Sequence, residues 1–257
     1  MLSKQVTIYA PLVPGQDPGG HNRTGIFFPD SYLPGATVDL IVYFHGLLNR
    51  CGGSGSDTVE RYWNNKYFRL REWMNNSKKN AVLVVPHLVG FDKYYSKLGM
   101  EGDDFLKNVL ALIVERVKTE PFNWTSSMSI RNIILAAHSG GGTTMVRLAQ
   151  TITVGSVRAC WGFDSFYAFE VSKALLGWAT KGGKFYLFWT DEGGTEDNVV
   201  KFEALLKQKE NANAAANTFV KKASAITREF PSTTSSHCAV PQTFWPDLIS
   251  RKDNGLS

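Results

Sequence analysis

The sequence predicts an α/β protein, with a mostly parallel central sheet and helices on both faces. Three observations predict it. Apolar runs of strand length recur along the chain, at Val38–Phe44, Ala81–Val85, Asn132–Ala137, Val157–Phe163 and Lys184–Trp189. Continuous runs of this kind mark strands buried on both faces. Between them lie stretches of helical periodicity, and strands alternating with helices build a parallel sheet through crossovers. The 257 residues, 43% apolar and 20% charged, suit one domain with a full core and no large lid.

Each element has its own signal. Val6–Ala10 alternates apolar and polar residues, as an edge strand does, and Pro11–Gly20 is a Pro/Gly-rich loop. Gly25–Phe28 reads as a short strand closed by Pro29 and the Pro34-Gly35 turn. Tyr67–Ser77 reads as a helix before the Ala81–Val85 strand, which ends at Pro86. Asp103–Lys118 is the clearest helix. Phe105, Leu106, Val109, Leu110, Leu112, Ile113 and Val117 mark its apolar face, and Asp103 and Asp104 sit where the helix dipole favours acids. Further helices are expected at Thr143–Thr151, Glu170–Thr180 and Val199–Lys209, and a closing helix at Gln242–Arg251.

Composition narrows the function. The net charge is +5, spread along the chain without a run of five basic residues or a nucleic-acid-binding motif, so no nucleic-acid partner is expected. No apolar stretch approaches the ~18 residues of a membrane helix. Met1–Ala10 has no apolar export core, so the expectation is a cytoplasmic protein. Cys51, Cys160 and Cys238 are odd in number and widely spaced, which favours reduced thiols over a disulfide framework. There is no HExxH or paired-Cys metal site, no phosphate-binding loop spacing and no dinucleotide motif, so neither metal nor cofactor is expected.

The chemistry concentrates where strands end. In Ile133–Gly142, IILAAHSGGG, a buried strand runs into Ser139 and then at once into a helix. A serine exposed on a sharp strand-to-helix turn needs small neighbours, and Ala137 and Gly141 give the pattern A-x-S-x-G, one methyl group from G-x-S-x-G. Ser139 is the candidate nucleophile, and the N–H of Gly140 would face a developing oxyanion at the helix start. Upstream, the strand in VDLIVYFHGL ends at His45-Gly46, and the N–H of Leu47 is the candidate second oxyanion donor.

The His-Gly after one strand, the HSGGG turn after another and a late histidine resemble the α/β-hydrolase superfamily. The stretches YFHG, NAVLVVPHL, SKLGMEG, AAHSGGG and GFDSFY resemble poorly characterised hydrolases with an HSGGG elbow, over nearly the whole chain. The resemblance implies an α/β-hydrolase fold and hydrolysis through an acyl-enzyme. It implies a base that follows the last strand, and His237 stands there, in an expected loop rich in Ser and Thr just before the closing helix. Two strand ends offer the acid. Asp164 in CWGFDSFY resembles the subfamily pattern and is preferred. Asp191 in FYLFWTDEGG is the alternative, with Glu192 and Asp197 nearby. His45, Gly46 and His138 are expected to line the substrate site. Two loops, Asn49–Trp63 and Val89–Gly102, are expected to overhang the site, and their Tyr62, Trp63, Phe91, Tyr94 and Tyr95 are candidates for the walls of an open cleft.

The expected substrate is a small or polymeric carboxylic ester. An amide or peptide substrate on the same fold, and a non-catalytic binding protein, are the alternatives.

Overall fold

The computed structural model describes residues 4–16, 23–46, 51, 59, 63, 68–92, 95–98, 100–191, 194–222, 233–252 and 256. Eight strands form one sheet: β1 (Val6–Ala10), β2 (Thr24–Phe28), β3 (Thr37–Phe44), β4 (Val82–Val85), β7 (Ser129–His138), β8 (Ser156–Phe163), β9 (Lys184–Trp189) and β10 (Thr218–Lys222). Their spatial order is β1-β2-β4-β3-β7-β8-β9-β10. From β4 to β10 every pairing is parallel, and β1 and β2 extend the sheet antiparallel.

Period-two alternation divides the strands between two cores. Val38, Leu40, Val42 and Phe44 of β3 and Ile133, Leu135 and Ala137 of β7 face one side, and Ile41, Tyr43, Ile134 and Ala136 the other. Helices α2 (Gly102–Val117), α3 (Gly142–Thr151), α4 (Phe169–Thr180) and α5 (Glu196–Leu206) cover the first side. Helices α1 (Leu70–Ser77) and α7 (Thr233–Ser250) cover the second. A short helix, α6 (Ala212–Ala216), precedes β10. Asp39, the charge inside the β3 run, is buried and takes two hydrogen bonds from the Arg131 guanidinium, each 2.9 Å, so the core carries a paired charge there.

Helix α7 is fixed by aromatic packing. Trp245 is fully buried, with ring centroids 5.7 Å from Tyr43, 5.3 Å from Trp161 and 5.9 Å from Phe163. Truncating a core ring of this size costs about 3–5 kcal/mol, so the helix has a firm seat.

In the fold, four features depart from the sequence reading. A two-stranded hairpin, β5 (Val89–Asp92) with β6 (Tyr95–Lys97), stands where a loop was expected, and β10 was not foreseen. The last helix starts at Thr233, well before Gln242, and runs through Pro241 and Pro246. Pro241 is what makes the sequence suggest a later start, because proline favours the first helical turn. Trp63 does not wall a cleft. It is buried against Phe27, and its indole N–H donates to the Tyr9 hydroxyl at 3.0 Å. Of the other candidate wall residues, Tyr62 and Tyr94 lie outside the described residues. No helix among the described residues is long and apolar enough to cross a membrane.

Candidate functional site

The central strands β3, β7 and β8 run parallel, so their carboxyl ends meet at one edge of the sheet. Binding sites of open α/β sheets form at this edge. Here the ends are Phe44-His45-Gly46, His138-Ser139 and Phe163-Asp164, with His138 in register with Phe163.

Ser139 opens a single 3-10 turn, Ser139–Gly141, that leads into α3. Its φ is 54°, a left-handed conformation that non-glycine residues rarely take. The turn is wedged against the end of β3. A Cβ on Gly46 would lie 2.3 Å from the Ser139 Cβ, and one on Gly141 would lie 2.4 Å from the Phe44 carbonyl oxygen. Both positions therefore require glycine, and the serine is pressed against the backbone of residue 46. Strain of this kind persists only where surrounding packing over-determines it, and it clusters at functional sites.

Asp164 shares that feature, with φ 46° just past the end of β8. Its N–H donates to the Phe188 carbonyl at 2.6 Å. The carboxylate is fully buried and is held by three donors. His237 Nδ1–H donates to Oδ2 at 2.6 Å, Thr190 Oγ1 donates to Oδ2 at 3.0 Å, and Thr195 Oγ1 donates to Oδ1. A buried carboxylate needs such partners, because an unpaired one is costly. The threonines were not picked out from sequence. Side chains alternate along a strand, so at the end of β9 the inward position falls to Thr190, while Asp191 is exposed. The structure thus brings His237 to Asp164 and leaves Asp191 at the surface.

His237 lies in the second turn of α7 rather than in a loop, buried beside the His138 ring, with centroids 4.4 Å apart. The Tyr167 ring meets it edge-on at 6.3 Å. His138 Nε2–H donates to the His237 carbonyl at 3.0 Å. That acceptor is available for a definite reason. In an α-helix the carbonyl of residue 237 would accept from the N–H of residue 241, and residue 241 is proline. The helix gives up one backbone bond and the His138 side chain takes its place.

Burial pushes the His138 pKa well below 6.5; the neighbouring His237 and, more weakly, His45 push the same way, and the carbonyl bond opposes them. The unfolded chain therefore takes up this proton first as pH falls. The stability contributed by a neutral His138 is complete above 6.5 and is lost as pH drops below it. We expect unfolding free energy to fall by up to about 1.4 kcal/mol per pH unit in that range, and His138→Gln to flatten the slope. Urea midpoints compared across the interval test this, and a pH-independent midpoint in the wild type would contradict it.

His45 is fully buried. Its Nε2 accepts from the Leu88 N–H at 2.8 Å, so its proton sits on Nδ1, which donates to the Gly46 carbonyl at 2.7 Å. It thereby fixes the turn at Gly46. Gly140 is buried in the 3-10 turn. Leu47 lies outside the described residues. The β6 strand packs beside the Ser139–Gly141 turn.

Cys51 and Cys238 are joined as a disulfide, with Cα atoms 5.4 Å apart. This corrects the expectation of free thiols: an odd count and a separation of 187 residues argued against the pairing, which the folded chain creates. Cys160 remains a buried thiol. Closing so long a loop restricts the unfolded chain strongly, and reduction is expected to lower stability by roughly 2–5 kcal/mol. Urea denaturation with and without a dithiol measures this, and a change under about 0.5 kcal/mol would refute it.

No protein-family profile matches the sequence. No characterised protein matches it by sequence either. Among solved structures, it is similar to an S-formylglutathione hydrolase from Agrobacterium tumefaciens, at 12% identity and a TM-score of 0.51, over 98% of this chain and 95% of that one. It is also similar to an acylaminoacyl peptidase from Pyrococcus horikoshii, at 12% identity and a TM-score of 0.50, over 98% of this chain and 42% of that one.

Proposed function

We propose that this chain, which has the α/β-hydrolase fold, is a serine hydrolase that cleaves carboxylic esters through Ser139, His237 and Asp164. One observation carries the reading: the buried His237–Asp164 hydrogen bond lies at the same sheet edge as a serine held at positive φ. Asp164 holds the proton of His237 on Nδ1, which leaves the Nε2 lone pair to act as base. Ser139 attacks the ester carbonyl as Nε2 takes its proton. The Gly140 N–H, in the turn just before α3, together with the Leu47 N–H, stabilises the oxyanion. The imidazolium then protonates the leaving alkoxide, and water releases the acyl group by the same route. His45, Gly46 and His138 shape this centre by holding the turn and the base in place.

The test is labelling with a fluorophosphonate, which captures an activated serine. Wild type is expected to label with one probe per chain, and Ser139→Ala to lose the label while keeping its circular dichroism. A folded wild type that does not label would overturn the proposal and leave a binding protein. Turnover of p-nitrophenyl esters beside p-nitroanilides then separates ester from amide preference.

A further inference from the structure

The disulfide ends in the same cluster as the proposed base. One ligand atom each from Cys51, His138 and His237 lie within 4.8 Å of one another, and all three residues are buried. In the oxidised chain Cys51 is bonded to Cys238 and offers no thiolate. We propose that reducing this disulfide creates a Cys-His-His site for a zinc ion, built from Cys51, His138 and His237. Its regulatory consequence rests on the reading of His237 as base, whereas the metal site itself does not.

The ligand types suit zinc, which takes thiolate sulfur at about 2.3 Å and imidazole nitrogen at about 2.0–2.1 Å. Tetrahedral bonds of those lengths need ligand atoms closer together than 4.8 Å, by roughly an ångström. Opening the S–S bond frees the Cys51 side chain to make that adjustment.

A second observation, independent of the spacing, is how the two rings are held. Metal-binding imidazoles donate the other ring N–H to a carboxylate or backbone carbonyl, which fixes the tautomer and raises ligand basicity. Both rings do so here. His237 Nδ1–H donates to Asp164, and His138 Nε2–H donates to the His237 carbonyl. Each ring therefore keeps its second nitrogen with a lone pair.

The reaction balances with a dithiol as reductant. Its thiolate attacks one sulfur of the Cys51–Cys238 bond and a second thiol resolves the mixed disulfide. Two protein thiols and one oxidised dithiol result. Zinc then replaces the proton of the Cys51 thiol. With three protein ligands, the fourth position stays open to water. The bound ion occupies the His237 lone pair that deprotonation of Ser139 requires, so zinc is expected to silence the reduced enzyme and spare the oxidised one.

Cobalt(II) is the direct probe, because a thiolate–cobalt bond gives a charge-transfer band that carbonyl or carboxylate ligation does not. Reduced wild type, and Cys238→Ser without any reductant, are expected to bind one cobalt per chain with that band and to lose it when zinc is added. Oxidised wild type, Cys51→Ser and His138→Phe are expected to show none. Spectra are read on samples whose circular dichroism matches the oxidised protein. Absence of the band in both reduced wild type and Cys238→Ser would overturn the proposal. So would a band that survives in reduced Cys51→Ser, since the thiolate would then be Cys238 or Cys160. Fluorophosphonate labelling separates the two readings. If no form of the protein labels but the cobalt band behaves as described, the hydrolase reading fails and the metal site stands. If oxidised protein labels and zinc leaves reduced protein equally reactive, the inhibitory role fails.

Discussion

Ester turnover in Ser139→Ala is expected to fall by about four to six orders of magnitude, close to the loss seen when any serine nucleophile of an acyl-transfer site is removed. The substitution deletes the hydroxyl and nothing else. The methyl that remains sits where the Ser139 Cβ already presses against Gly46, so the turn keeps its packing. Alanine meets the same backbone strain at φ 54° as serine does, and the fold should survive. What remains of the rate would come from oxyanion donors and substrate binding alone. A loss smaller than tenfold, measured on p-nitrophenyl butyrate with protein of unchanged circular dichroism, would show that Ser139 is not the nucleophile.

The second large effect belongs to Asp164. Asp164→Asn keeps the shape but removes the charge, and it lets an amide N–H face the imidazole. The proton of His237 then shifts to Nε2, where it blocks deprotonation of Ser139. In a triad this wrong tautomer lowers kcat by about 10⁴. Thr190 and Thr195 donate to the native carboxylate, so the variant also leaves these hydroxyls with a weaker acceptor. Asp191→Asn, at an exposed position past β9, is expected to stay within about threefold of wild type. Should Asp164→Asn retain its rate while Asp191→Asn loses it, the acid is Asp191 and the Asp164–His237 bond is structural.

These assignments show what a sequence carries and what it hides. The central strands were legible because burial on both faces leaves an unbroken apolar run, as in LIVYF and IILAA. The Ser139 turn was legible because its demand is local: a bend packed this tightly needs small residues, and they must be adjacent in the chain. Neighbourhoods made of distant residues were not legible. Nothing in FWTDEGGT tells Thr190 from Asp191 until strand alternation and the fold decide which one points inward. The start of α7 was misplaced because Pro241 normally marks a first turn, and only tertiary packing of Cys238, Ala239 and Val240 keeps the helix going upstream of it. The β10 strand, TFVKK, is a short parallel edge with three of its five residues polar, so it carries little apolar signal.

The sheet order has a consequence for how this centre comes into being. Gly46, Ser139, Asp164, Thr190 and His237 lie on five separate elements or their ends, and every contact among them is long in sequence. Only a stretch running from residue 46 to residue 237 holds the whole set. Loop closure must precede each such contact, and parallel sheets of this kind gain order slowly. Helices can regain their circular dichroism while the serine is still inert. On the proposed mechanism, reactivity toward a fluorophosphonate would therefore be a coincidence detector for the finished tertiary structure, and its time course during refolding would clock the last step of assembly rather than the first.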